Sequence, residues 1–147
     1  MTTPTQHDTR IPPAPPRLSA LRGNCMGAAV LLIVQFGLGI GVNLYVALPA
    51  HKSFLSTVFG SAVLAVHAIV ALVLLGAAIG ALVRALLIPG RARRAVAFTS
   101  VGLAAILAAA AAGASFAGNQ SNGASLAMAL ATAVAMFCYL AAIFSLR

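Results

Sequence analysis

The sequence predicts an all-α membrane protein, an up-down-up-down bundle of four transmembrane helices. Three observations carry that prediction. Of its 147 residues 62% are hydrophobic and only 7% charged, whereas soluble domains are roughly a quarter charged. Long uncharged stretches run over 23–50, 53–83 and 95–146, each long enough for a bilayer core that takes about 20 helical residues to cross. The last of them is interrupted at 118–123 by "GNQSNG", whose residues favour turns and water, so it divides into two spans. Helices follow because backbone amides in hydrocarbon must find partners within their own segment.

Taken in order, the helices are expected near 25–48, 58–83, 95–116 and 124–146, within a transmembrane domain of residues 23–147. Residues 1–22, with "IPPAPPR" at 11–17, cannot form a core and read as a disordered, Pro-rich cytoplasmic tail. Helix 1 follows Arg17 and Arg22, as a secretory signal would. Its apolar run exceeds the roughly 7 to 15 residues of a signal core, so it is expected to be retained. Pro49 marks the exit of helix 1 and "IPG" at 88–90 that of helix 2, because proline cannot continue the backbone ladder and glycine relaxes the chain at a C-cap. The short connections "PAHKSFLST" and "GNQSNG" place successive helices side by side and antiparallel. Small residues at four-residue spacing let helices approach closely in lipid. They occur as Gly37 and Gly41, Gly76 and Gly80, Ala105, Ala109 and Gly113, and Gly123, Ala127, Ala131 and Ala135.

The formal charge of +8 would suit nucleic acid if the basic residues formed a surface. They do not. Arg10, Arg17 and Arg22 precede helix 1, Arg84, Arg91, Arg93 and Arg94 lie between helices 2 and 3, Arg147 follows helix 4, and only Lys52 falls in an outer loop. That asymmetry is the positive-inside pattern. It predicts cytoplasmic N- and C-termini in a bacterial inner membrane, with Arg17, Arg22, Arg84, Arg91, Arg93 and Arg94 as topology anchors. Anionic lipid head groups are their natural partners, and nucleic acid is not one. Cys25 and Cys138 fall in the reducing, cytoplasmic half and read as packing thiols.

The only acidic residue is Asp8, in the tail. A proton-coupled exporter uses a membrane-embedded carboxylate, so that mechanism has no residue to carry it. Nucleophilic catalysis needs a positioned base and orienter, and the one histidine within the spans, His67, has no acidic partner there. No catalytic residue, zinc-ligand spacing or phosphate-binding loop is present, and a non-enzymatic protein is expected.

What remains is an intramembrane polar group of His67, Asn43 and Gln35. Counting 1.5 Å per residue puts His67 about 5 Å outward of the midpoint of helix 2, Asn43 roughly 10 Å outward on helix 1, and Gln35 near its centre. Asn43 is therefore the first partner expected for His67. At about 100° per residue, His67 shares a face with Gly60, Leu64, Ala71 and Leu74 and points about 180° from Gly76. The leading reading is a neutral imidazole that hydrogen-bonds between helices, in a protein that acts by packing against itself, as a homo-oligomer, or against another membrane protein. An alternative is a redox role. His67 Nε2 would then ligate haem b or hydrogen-bond a quinone, and a second haem ligand would come from Met128, Met136 or the His67 of another copy. A small channel or carrier without carboxylate coupling is a third reading, for which Gln35, Asn43 and His67 supply too few polar groups to line a path.

The length and four-helix plan resemble the small multidrug resistance transporters, whose first helix carries an essential glutamate. Here the corresponding helix, "MGAAVLLIVQFGLGIGVNLYVAL", offers only Gln35 and Asn43. The stretches "FGLGIGVNLYVALPAH" at 36–51, "VHAIVALVLLGAAI" at 66–79 and "GASFAGNQSNGASLAMAL" at 113–130 resemble a group of small bacterial four-span membrane proteins from high-GC genomes. That resemblance implies a four-span fold. It implies no activity and carries no functional residue.

Overall fold

The computed structural model describes residues 16–46, 59–88 and 93–146. Four helices account for nearly all of them: α1 Pro16–Tyr45, α2 Ala62–Leu86, α3 Arg93–Asn119 and α4 Asn122–Ser145. All four are long and apolar enough to cross a membrane, and no strand occurs among the described residues. The chain is a multi-pass, four-helix membrane bundle. Each helix packs on its two neighbours in a ring, α1 on α2, α2 on α3, α3 on α4 and α4 on α1, while neither diagonal pair touches. The α3–α4 hairpin makes the most extensive contact.

Helix α1 begins at Pro16 rather than near residue 25, so part of the stretch assigned to the tail is helical. Proline suits a first helical turn, where its missing N–H has no partner to lose. From there Leu21, Cys25, Ala28 and Leu32 form an apolar stripe at helical spacing, and all four are buried. The 30 residues of α1 rise about 45 Å, against about 30 Å of hydrocarbon. The rest of the tail, together with Pro49, His51, Lys52, Arg91 and Arg147, lies outside the described residues.

One end of the bundle carries Arg17, Arg22, Arg84, Arg93 and Arg94 and is called here the arginine end; the other, where α1 leads toward α2 and α3 turns into α4, is the loop end. The core is confined to the arginine end. Leu21 to Leu32 of α1, Leu74 to Ala85 of α2, Ala95 to Ile106 of α3 and Ala135 to Ile143 of α4 supply its buried apolar residues. Toward the loop end, Val42 is the only buried residue among the described residues well beyond the helix midpoints, Leu32 and Thr132 lying close to the middles of α1 and α4. The inward stripes there, Leu64, His67 and Ala71, then Ala109, Ala112 and Phe116, then Ala124, Met128 and Ala131, stay partly exposed.

The two buried threonine hydroxyls find their hydrogen bonds within their own helices. Thr99 Oγ1 donates to the Ala95 carbonyl at 2.8 Å, and Thr132 Oγ1 donates to the Met128 carbonyl at 2.8 Å.

The α3–α4 turn is tighter than the six-residue break expected from "GNQSNG". Helix α3 runs to Asn119 and α4 starts at Asn122, so Gln120 and Ser121 alone connect them. Gln120 adopts φ 49, and its N–H donates to the Phe116 carbonyl at 2.8 Å, closing α3 with a left-handed cap. Ser121 then caps α4, its Oγ accepting the Ala124 N–H at 3.2 Å. Left-handed backbone penalises β-branched side chains most and glycine least. Gln120→Gly is therefore expected to hold or raise the melting temperature in detergent, while Gln120→Val lowers stability by about 1–2 kcal/mol; thermal melts followed by circular dichroism compare the two, and equal melting would contradict the turn geometry.

Candidate functional site: the Gln35–His67 clasp

The hydrogen bond that reaches His67 comes from Gln35, not from Asn43. Gln35 Nε2 lies 3.1 Å from His67 Nε2 and 3.2 Å from the carbonyl oxygen of the same residue. Asn43 is exposed on α1. The reason is rotational. Gln35 shares a helix face with Gly39 four residues on, and Gly39 is where the imidazole comes close: a Cβ built there would stand 3.5 Å from His67 Cε1. Depth alone favoured Asn43, but the rotation of α1 turns the face of Gln35 and Gly39 to the ring and leaves Asn43 exposed.

The protonation pattern of the clasp follows from the donors and acceptors. A backbone carbonyl only accepts, so the Gln35 atom facing it must be the amide nitrogen. That same nitrogen faces the ring Nε2, which therefore accepts, and the neutral imidazole carries its proton on Nδ1. Two polar atoms are left over. Gln35 Oε1 and His67 Nδ1 are buried and have no hydrogen-bond partner among the described residues.

His67 lies on the inward face of α2 and Gly76 on the outward one, which is exposed with nothing within 4 Å of a built Cβ. The clasp binds α1 to α2 at the edge of the closed core, where the partly exposed loop-end interior begins. Met128 and Met136, the other haem ligands considered from sequence, sit on α4, diagonal to α2. Met128 Sδ packs toward Gly113, 3.3 Å from a Cβ built there. With His67 Nε2 engaged by Gln35, iron ligation through that atom would require the amide to let go. Among the described residues no group of three or more His, Cys, Asp or Glu gathers in a metal-binding arrangement.

Of the small-residue pairs, the structure uses some and leaves others bare. Gly80 receives Asn24, whose Nδ2 stands 3.1 Å from a built Cβ, and Gly113 receives Met128. Gly37, Gly41, Gly76 and Gly123 meet nothing within 4 Å. The closest glycine contact is at Gly102, which the four-residue pattern passed over: a Cβ there would fall 2.9 Å from Tyr139 Cε2. Its position one turn before Ala105 and Ile106, on the same line as Ala109 and Gly113, was the available signal. Asn24 was missed as well. Its Oδ1 accepts from Arg84 Nη1 at 3.1 Å, and Arg84 Nη1 also donates to the Ala20 carbonyl at 3.2 Å, a second α1–α2 link at the arginine end. Arg22, Arg93 and Arg94 are exposed there.

Comparison with known protein families, with curated proteins and with solved structures finds no match.

Proposed function

We propose that this chain is a non-enzymatic membrane protein that acts by lateral association, with a second copy of itself or with another membrane protein. The observation that carries the reading is the bare glycine pair Gly37 and Gly41. They lie on the part of α1 where the bundle has little core of its own, and no described residue comes within 4 Å of a Cβ built at either. Small residues are what close helix–helix contact in lipid requires. The clasp agrees with a structural role for His67, because Gln35 uses its amide to hold the ring rather than leaving both nitrogens open to a ligand. The setting is the inner membrane of a bacterium with both termini cytoplasmic, supported by the confinement of eight of the nine basic residues to one side of the spans.

Cysteine crosslinking tests the reading. In a background with Cys25 and Cys138 replaced by alanine, Gly37→Cys and Gly41→Cys are expected to form disulfide adducts with a second copy or a co-purifying protein in native membranes. Leu72→Cys and Phe137→Cys, exposed on other helices, serve as comparison. Adducts at the comparison positions with none at 37 or 41 would overturn it.

A further inference from the structure

At the arginine end, α1 and α2 flank an open, shallow cleft of about 390 Å³ lined by Arg17, Ala20, Arg84, Leu87 and Ile88. Its composition is particular: two guanidiniums, an open helix shoulder and two aliphatic side chains. Arg84 is held in place by the Asn24 side chain and the Ala20 carbonyl through Nη1 alone. Asn24 is itself seated on Gly80, with its Nδ2 3.1 Å from where a Cβ would stand. Arg17 makes no hydrogen bond or ion pair with any described residue. No Asp or Glu side chain occurs among the described residues to pair with either arginine, the chain's one acidic side chain being Asp8. Two exposed guanidiniums with no carboxylate beside them among the described residues, one of them already oriented, offer a fork of donors to an anion with several oxygens. Leu87 and Ile88 flank the same opening, so the remainder of that ligand is apolar.

We propose that this cleft is a binding site for the phosphate of an anionic phospholipid, with the phosphodiester between Arg17 and Arg84 and the upper acyl chain along Leu87 and Ile88. Basic pockets between transmembrane helices bind lipid phosphates in this way. The site differs from a general attraction of the basic segments for the membrane surface, because it depends on the two cleft arginines and not on Arg93 and Arg94 at the start of α3. It stands independently of the association reading, as it uses no residue of the Gly37–Gly41 face.

Lipid retention by the purified full chain decides the matter. The protein is reconstituted in nanodiscs of mixed phosphatidylglycerol and phosphatidylcholine, re-extracted in mild detergent, and its bound lipid counted by native mass spectrometry. Wild type is expected to retain phosphatidylglycerol in preference to phosphatidylcholine. Removing one arginine is expected to cost about fivefold in retention, and Arg17→Gln with Arg84→Gln about 25-fold. Arg17→Gln is the safer single variant, because Arg17 makes no hydrogen bond or ion pair with a described residue. Arg93→Gln with Arg94→Gln is expected to retain the lipid as wild type does. Equal retention by Arg17→Gln, or equal loss on changing Arg93 and Arg94, overturns the site. Displacement of the lipid by excess inorganic phosphate, as complete as by free phosphatidylglycerol, would show a free-phosphate site and overturn the lipid assignment.

Discussion

Gly102→Val is expected to lower the stability of the bundle by about 1–3 kcal/mol, the usual cost of forcing extra methyl groups into a packed core. Tyr139 is fully buried, with its ring across Gly102, and even a single Cβ at 102 would lie 2.9 Å from its Cε2, 3.2 Å from its Cζ and 3.4 Å from Cys138 Cβ. Neither a buried ring nor the Cβ of Cys138, fixed to its helix, yields cheaply this close, because the α3–α4 contact is where the bundle is most tightly joined. Shrinking the ring should rescue the fold, so Tyr139→Leu in the Gly102→Val background is expected to recover part of the loss. Tyr139→Phe gives a further control. The Tyr139 hydroxyl is buried without a hydrogen-bond partner among the described residues, so deleting it is expected to be neutral or mildly stabilising. Reversible unfolding in mixed micelles measures all four proteins. A Gly102→Val variant as stable as wild type would show that the ring does not sit where this packing requires.

The second large effect is an asymmetry across the clasp. Gln35→Leu is expected to cost about 1–3 kcal/mol, because it strands His67 Nε2 in a low-dielectric interior as well as removing both bonds. His67→Leu is expected to cost less, near the 0.6 kcal/mol that interhelical hydrogen bonds in membranes average. The Gln35 amide still finds the carbonyl of residue 67, a backbone atom 3.2 Å away that the substitution leaves in place. The double variant Gln35→Leu with His67→Leu should be more stable than Gln35→Leu alone, since no polar group is then left behind. Steric-trap or denaturant titrations of the four proteins form the cycle. Equal single costs, or strictly additive ones, would mean that the two residues do not act as a pair.

The fold was legible in the sequence because apolar length and interruption are one-dimensional properties. Three neutral stretches, the last divided by a polar break at 118–123, specify four spans whatever their packing. The start of α1 was less so. A Pro-rich tail masks a helical stripe at Leu21 and Cys25, and only burial against the other helices shows that the stripe matters. The candidate site was half legible. His67 stood out as the one ionisable side chain within the apolar run 53–83, and Gln35 was among its companions. Choosing Gln35 over Asn43 required the rotation of α1 about its axis. Depth counting does not contain that quantity, which is set by how α1 packs on α2, with Gly39 beside the ring. The glycines teach the same lesson. Four-residue spacing identifies Gly37–Gly41 and Gly76–Gly80 equally well, yet Gly80 is covered by Asn24 and the other three are bare. Spacing shows which helix faces permit close approach; the partner across the face decides which are used.

That the bare α1 face is used between molecules is the claim on which the functional reading rests. Its most direct test is the stoichiometry of the wild-type chain extracted into nanodiscs with its native lipids, measured as particle mass. Lateral association predicts particles holding more than one copy, or one copy with a defined partner protein, shifting to single chains when Gly37 and Gly41 are both replaced by isoleucine. Particles that hold one chain and no other protein, before and after that substitution, would contradict it.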